Sequence, residues 1–88
     1  MMKKVYSIRD NKMETFGTLV FIDNDAVAIR MFGDLVVNAT DTLMAKHPAD
    51  FGLYALGEFD DVKGRMENYE CPNLIAVGSD FLNKPQEN

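Results

Sequence analysis

Two segments of this chain are apolar on both of their alternating faces, and they limit the possible folds more than any other feature. They cover residues 15–22 and 51–59, and both contain many β-branched or aromatic side chains. Successive side chains of a strand point to opposite faces, so such segments are typical of strands that are covered on two sides. We therefore expect residues 15–22 to form an interior strand.

The alternation also assigns faces within the second of these segments. One face should carry Phe51, Leu53, Ala55 and Phe59, and the other should carry Tyr54 and Leu56. A short strand over residues 3–10 precedes the first segment. A hairpin loop at 60–64 follows the second segment and leads to a fourth, edge strand that begins at residue 65 and ends near residue 70.

A helix is predicted between the two apolar strands. Asp23, Asn24 and Asp25 offer oxygens that can cap free backbone N–H groups where it begins. The apolar side chains that follow recur at spacings of three and four residues: Ala26, Ile29, Phe32 and Val36. A connector ends at His47-Pro48, because proline biases the residue before it away from helix.

These elements predict one α+β domain over residues 1–82. Its core is an antiparallel four-stranded sheet with one main helix packed on a face, in the order ββαββ. The apolar cluster at residues 74–77, with Phe81 and Leu82, should form a docked C-terminal segment. Residues 83–88 are polar and are expected to be a flexible tail.

Charge is distributed unevenly along the chain. The 88 residues carry a net charge of −5, so the domain as a whole should repel a phosphate backbone. Residues 1–12 nevertheless have a balance of +3. Cations pair with phosphates, and a tyrosine ring such as Tyr6 or Tyr54 can stack on an unpaired base. The predicted nucleic-acid-binding residues are therefore Lys3, Lys4, Tyr6, Arg9 and Lys12.

Catalytic and metal-binding patterns are weak in this sequence. His47 is the single histidine, and Cys71 has no second cysteine with which to form a disulfide. Glu58, Asp60 and Asp61 could hold a hard cation as in a metal-dependent nuclease, although a solvated strand end explains them better. We expect no enzyme activity, no metal site and no cofactor. The absence of a long apolar run predicts a cytosolic protein without a membrane partner.

Several short motifs together resemble a known family. The pieces are Lys4-Val5-Tyr6-Ser7-Ile8, the helix start from Asn24 to Phe32, the connector His47-Pro48-Ala49-Asp50-Phe51, and Gly57-Glu58-Phe59-Asp60. Their order and spacing over residues 4–61 resemble the small nonstructural protein of gokushovirus-type microviruses, which are phages with single-stranded DNA genomes.

The resemblance implies a nonstructural accessory protein, made in the cytoplasm of a bacterial host, that binds viral single-stranded DNA or controls its synthesis. The apolar strands themselves suggest an alternative, because one helix covers only one face of a sheet. In that alternative the chain is a homo-oligomeric assembly protein that recruits a viral or host replication protein without contacting DNA.

Overall fold

The computed structural model describes residues 2–38 and 41–82, and it has the predicted α+β class. The strands are β1 (Met2–Asp10), β2 (Thr15–Phe16), β3 (Val20–Ile22), β4 (Phe51–Asp60) and β5 (Arg65–Val77). The helices are α1 (Asp25–Asn38) and the single turn α2 (Leu43–Lys46), with 3-10 turns at Pro48–Asp50 and Gly78–Phe81. The tail predicted for residues 83–88 lies outside the described residues.

The sheet is antiparallel throughout, with β1 and β4 at its centre. β5 pairs with the outer side of β4, while β2 and β3 pair one after the other with the outer side of β1. The prediction that this segment, residues 15–22, forms one interior strand is therefore wrong in two respects. The segment is interrupted at residues 17–19, and it lies at an edge, because β4 occupies the other side of β1 along its whole length.

Helix α1 begins where the sequence predicts. The side chain of Asn24 accepts a hydrogen bond of 3.0 Å from the backbone N–H of Val27, which satisfies one of the free donors of the first turn. The buried residues of the helix are Ala28, Phe32, Gly33 and Val36, whereas Ala26 is exposed instead of lying on the predicted stripe. This stripe packs on Tyr6, Leu53, Ala55 and Ala76 of the sheet.

The C-terminal segment docks on the same side as the helix. β5 is longer than predicted and includes the apolar cluster at 74–77. The Gly78–Phe81 turn then places the ring of Phe81 edge-on to Phe32, with 5.7 Å between centroids. A Cβ on Gly33 would lie 2.7 Å from the Phe81 ring, so glycine permits this contact. The segment therefore adds to the helix layer and leaves the other face of the sheet uncovered.

An extra residue in β4 changes which way its second half faces. Tyr6 pairs with Ala55 and Val5 pairs with Gly57, so Leu56 has no partner on β1 and forms a bulge. Leu53 and Ala55 point toward the helix, but Phe59 points to the opposite face. The predicted grouping of Phe59 with Leu53 and Ala55 is wrong, because simple alternation does not continue through a bulge.

Candidate functional site

The face of the sheet that lies opposite α1 is the main candidate site, and we call it the open face. It consists of the strand residues whose side chains point away from the helix, as fixed by the pairing register. These residues include Lys3, Val5, Ser7, Arg9, Phe16, Phe21, Tyr54, Phe59, Met66 and Leu74. None of them belongs to the hydrophobic cluster beneath α1.

Two pairs of aromatic rings stand on the open face. Phe16 meets Tyr54 edge-to-face with 5.3 Å between ring centroids, and Phe21 meets Phe59 in the same way at 5.6 Å. Phe16 is 36% exposed and Phe21 is 47% exposed. The two rings of each pair come from opposite sides of β1, because Phe16 and Phe21 lie on the edge segments β2 and β3 and their partners lie on β4. Each pair thus presents aromatic surface to solvent.

One cation accompanies each aromatic pair. The guanidinium carbon of Arg9 lies 5.6 Å from the centroid of Phe16, in cation–π range, and its Nη1 donates a 2.6 Å hydrogen bond to the side chain of Asn11. Lys3 is the cross-strand partner of Phe59. Arg9 lies six positions after Lys3 along β1, which corresponds to about 20 Å of extended strand. They therefore mark opposite ends of the open face.

Carboxylates are absent from the paired positions of this face in the part of the chain that the structure describes. The acidic residues that enter the strand register all point to the helix side: Asp10, Glu58, Asp60 and Glu67. This arrangement follows from the period of two in a strand together with the bulge at Leu56. The carboxylates at these paired positions therefore do not share a face with the aromatic rings.

The middle of β1, beneath the open face, is buried. Val5 and Ser7 point to this side, yet neither has any exposed surface, because the larger side chains around them cover the strand. The Ser7 hydroxyl donates a hydrogen bond of 3.0 Å to the carbonyl of Gly17, which holds the interruption between β2 and β3 against β1. At these positions the open face is therefore a surface covered by side chains and not a cavity.

The other predicted basic and aromatic residues are on the helix side or in a turn. Lys4 and Tyr6 both bond to the same oxygen of Asp25, at 2.8 Å and 2.7 Å. The stacking role predicted for Tyr6 is corrected by this placement, because a ring with no exposed surface offers no face to a base. Lys12 is exposed in the turn between β1 and β2, at the Arg9 end of the sheet.

The Asp25 contacts also set the ionisation of these groups. Hydrogen bonds from Lys4 and then Tyr6 lower the pKa of Asp25, and the same bond to Asp25 raises the pKa of Lys4. Burial, followed by the hydrogen bond to Asp25, raises the pKa of Tyr6. The group fastens the first residue of α1 to the centre of β1, so its role here is structural.

In the acidic cluster predicted as a weak cation site, Glu58 and Asp60 form hydrogen bonds within the chain. The Tyr69 hydroxyl donates a 3.2 Å hydrogen bond to Glu58, and Asp60 accepts bonds from the backbone N–H groups of Val62 and Lys63 at 3.0 Å and 3.1 Å. Within residues 2–38 and 41–82, no group of three His, Cys, Asp or Glu side chains is placed to hold a metal ion. His47 lies exposed just before the Pro48–Asp50 turn.

Comparison with known proteins places the chain in a family. No helix among the described residues is both long and apolar enough to cross a membrane. No curated protein and no solved structure matches the sequence. A family described as Phage ORF5 protein matches residues 3–81, which is most of the chain and includes every residue of the open face that we name. The chain therefore belongs to the Phage ORF5 protein family of bacteriophages.

Proposed function

We propose that this phage protein is a non-enzymatic accessory protein of replication that binds single-stranded DNA on its open face. The observation that carries the proposal is the combination of aromatic rings and cations on the open face. Two exposed aromatic pairs lie on a sheet surface whose paired positions hold Lys3 and Arg9 but no carboxylate.

The rings supply a reason for the preference for single strands. Every unpaired base has a flat π-face that can stack on an aromatic side chain, and each such contact is worth about 1–3 kcal/mol. In a duplex these base faces are already stacked on one another, so the rings would find no partner. A four-stranded antiparallel sheet with aromatic residues on its uncovered face is also how one common class of RNA-binding domain holds unstacked bases.

The cations supply the contact with phosphate. Arg9 and Lys3 lie at the two ends of the open face, and Lys12 lies beyond Arg9 in the adjacent turn. The net charge of −5 opposes binding at long range. That opposition is weakened at physiological salt, where the screening length is about 8 Å. Local attraction at the open face then decides the interaction.

The sequence resemblance supports the same ligand. The motifs that resemble the small nonstructural protein of gokushovirus-type microviruses point to a phage with a single-stranded DNA genome. In such a phage a protein of this kind would act in the cytoplasm of the bacterial host, where the viral strand is synthesised. We propose this source for the DNA on the strength of that resemblance.

Salt dependence of binding tests the proposal directly. The affinity of the full chain for a fluorescent oligothymidine of about 15 nucleotides would be measured by anisotropy at several salt concentrations. Two or three phosphate contacts predict a slope of about −1.4 to −2 in log affinity against log salt. A duplex of the same length should bind more weakly. Absence of binding at low salt, or equal affinity for the duplex, would contradict the proposal.

A second candidate function uses the same surface for a protein. Leu74 is 51% exposed and Met66 is 45% exposed at the β5 side of the open face. Apolar surface of this kind also suits a homo-oligomeric assembly protein that recruits a viral or host replication protein. Light scattering with and without oligonucleotide separates the two candidates. DNA binding gives a complex with the oligonucleotide, whereas the assembly candidate gives an unchanged mass.

A further inference from the structure

Helix α1 carries a second apolar stripe that does not face the sheet. Val27, Met31 and Leu35 are spaced four residues apart and so form one ridge along the helix. Val27 and Leu35 are each 38% exposed, and Met31 is partly buried. The ridge is distinct from the stripe that packs on the sheet, which contains Ala28, Phe32 and Val36. It adds apolar surface that the fold of one chain leaves in contact with water.

Two opposite charges run beside this ridge. Arg30 and Asp34 are exposed and lie on the same side of it, at about 100° and 60° around the helix from Met31. Neither forms an ion pair within residues 2–38 and 41–82. Asp34 lies four positions after Arg30, but arginine precedes aspartate, which is the weaker order for a pair within one helix. The two charges are thus available to a partner.

We propose that a second copy of this chain packs its own α1 antiparallel against this ridge, about a two-fold axis that passes beside Met31. The rotation brings Val27 against Leu35 of the second copy, and Leu35 against Val27 of the second copy. It keeps both charges on the same side of the interface. Arg30 then lies about 3 Å along the axis from Asp34 of the second copy, within reach of its long side chain.

Self-complementarity is the reason for choosing a second copy over an unrelated protein. In a two-fold interface the same patch meets itself, so each charge on it must find its opposite after the rotation. The ridge fulfils this condition twice, through two equivalent Arg30–Asp34 contacts. The open face lies on the other side of the sheet and stays free, so this inference does not depend on the proposed function.

Charge reversal is the decisive test. Size-exclusion chromatography with light scattering on the full chain at tens of micromolar should give the mass of a dimer. Arg30→Asp and Asp34→Arg should each raise the dimer dissociation constant by roughly 10-fold or more, because like charges then meet. The double variant R30D/D34R should dimerise again. A monomeric wild-type protein would overturn the proposal, as would a dimer that both single variants leave intact.

Cross-linking gives an independent readout of the same axis. In a Cys71→Ser background, which removes the one natural thiol, Met31→Cys should form a disulfide-linked dimer on mild oxidation because this position meets itself. Val37→Cys is the matched control, since Val37 is 57% exposed on another side of the same helix. Equal cross-linking by the two variants would overturn the inference. Circular dichroism checks that each variant is folded.

Discussion

The two faces of the sheet are made by the same strands but differ in almost every physical property. On the helix face, Tyr6 and Leu53 have no exposed surface, and Glu58 is bonded to Tyr69. On the open face, Phe16 and Phe21 are partly exposed and Arg9 lies beside a ring. One face stabilises the fold, while the other presents aromatic and cationic groups to solvent.

This difference teaches that the net charge of a small domain says little about a particular surface. Lys3 and Lys4 are adjacent in sequence, yet Lys3 lies on the open face and Lys4 is paired with Asp25 on the helix face. A period of two lets consecutive residues serve separate purposes. Variants of neighbouring or similar residues on the two faces can therefore test the distinction.

The largest effect is expected from truncating a ring on the helix face. Phe32→Ala should lower the free energy of unfolding by about 3–5 kcal/mol, because Phe32 is fully buried and leaves a cavity. Phe21→Ala on the open face should cost only about 1 kcal/mol, since half of that side chain is already exposed. Urea unfolding of both variants measures the difference. Equal losses would show that the two faces are equally part of the core.

The next effect concerns ligand binding by the rings of the open face. Phe21→Ala should weaken the affinity for oligothymidine by about 1–3 kcal/mol, or roughly 5- to 150-fold, because a stacking surface is lost. Val62→Ala is the control, as Val62 is 80% exposed but lies in the turn between β4 and β5. Anisotropy titration compares the two. Unchanged affinity in Phe21→Ala would remove the rings from the binding surface.

A smaller effect is expected at alkaline pH from Tyr6. Burial and the bond to Asp25 raise the pKa of Tyr6 above its ordinary value of 10.0, so the unfolded chain releases this proton first as the pH rises. Stability should therefore fall above pH 10, by at most about 1.4 kcal/mol per pH unit from this group. Thermal melts between pH 9 and 11 measure it.

Tyr6→Phe provides the control for this pH dependence. The variant should be less stable at neutral pH, because it loses the hydrogen bond to Asp25, but its stability should fall less steeply above pH 10. Its affinity for oligothymidine should equal that of the wild-type protein, because Tyr6 lies on the helix face. An alkaline slope that is the same in both proteins would assign the loss to other groups, such as Lys4.

The smallest effect separates the two adjacent lysines. Lys3→Ala should make the salt slope of oligonucleotide binding less steep by about 0.7, which corresponds to one phosphate contact on a single strand. Lys4→Ala should leave the slope unchanged and instead reduce stability slightly, because Lys4 is engaged with Asp25. The same anisotropy series measures both variants. A larger change of slope in Lys4→Ala would contradict the assignment of faces.

Local features of the fold could be predicted from the sequence. The cap at Asn24, the buried Phe32 and Val36, and the strand that follows Pro48 depend on a few consecutive residues whose chemistry is visible in order. The antiparallel sheet with one main helix on a face follows from such elements, with β2 and β3 together in the place of the second predicted strand. The structure confirms these predictions. They could be made because each element is specified mainly by its own residues.

The composition of the open face could not be predicted in the same way. Phe16 and Phe21 are five residues apart, so regular alternation would place them on opposite faces, and only the interruption at residues 17–19 brings both to one side. Phe59 reaches that side only through the bulge at Leu56. Interruptions and bulges depend on pairing with distant strands, and no signal within a single segment reveals them.

The extra residue Leu56 consequently determines which face of the sheet each later residue of β4 occupies. Removing it would rotate the remainder of β4 by half a turn about the strand. Phe59 would then be directed beneath the helix, and Glu58 would emerge among the solvent-facing rings. A deletion that leaves the length and composition of the chain almost unchanged would thus add a carboxylate to the surface that now carries aromatic rings and cations.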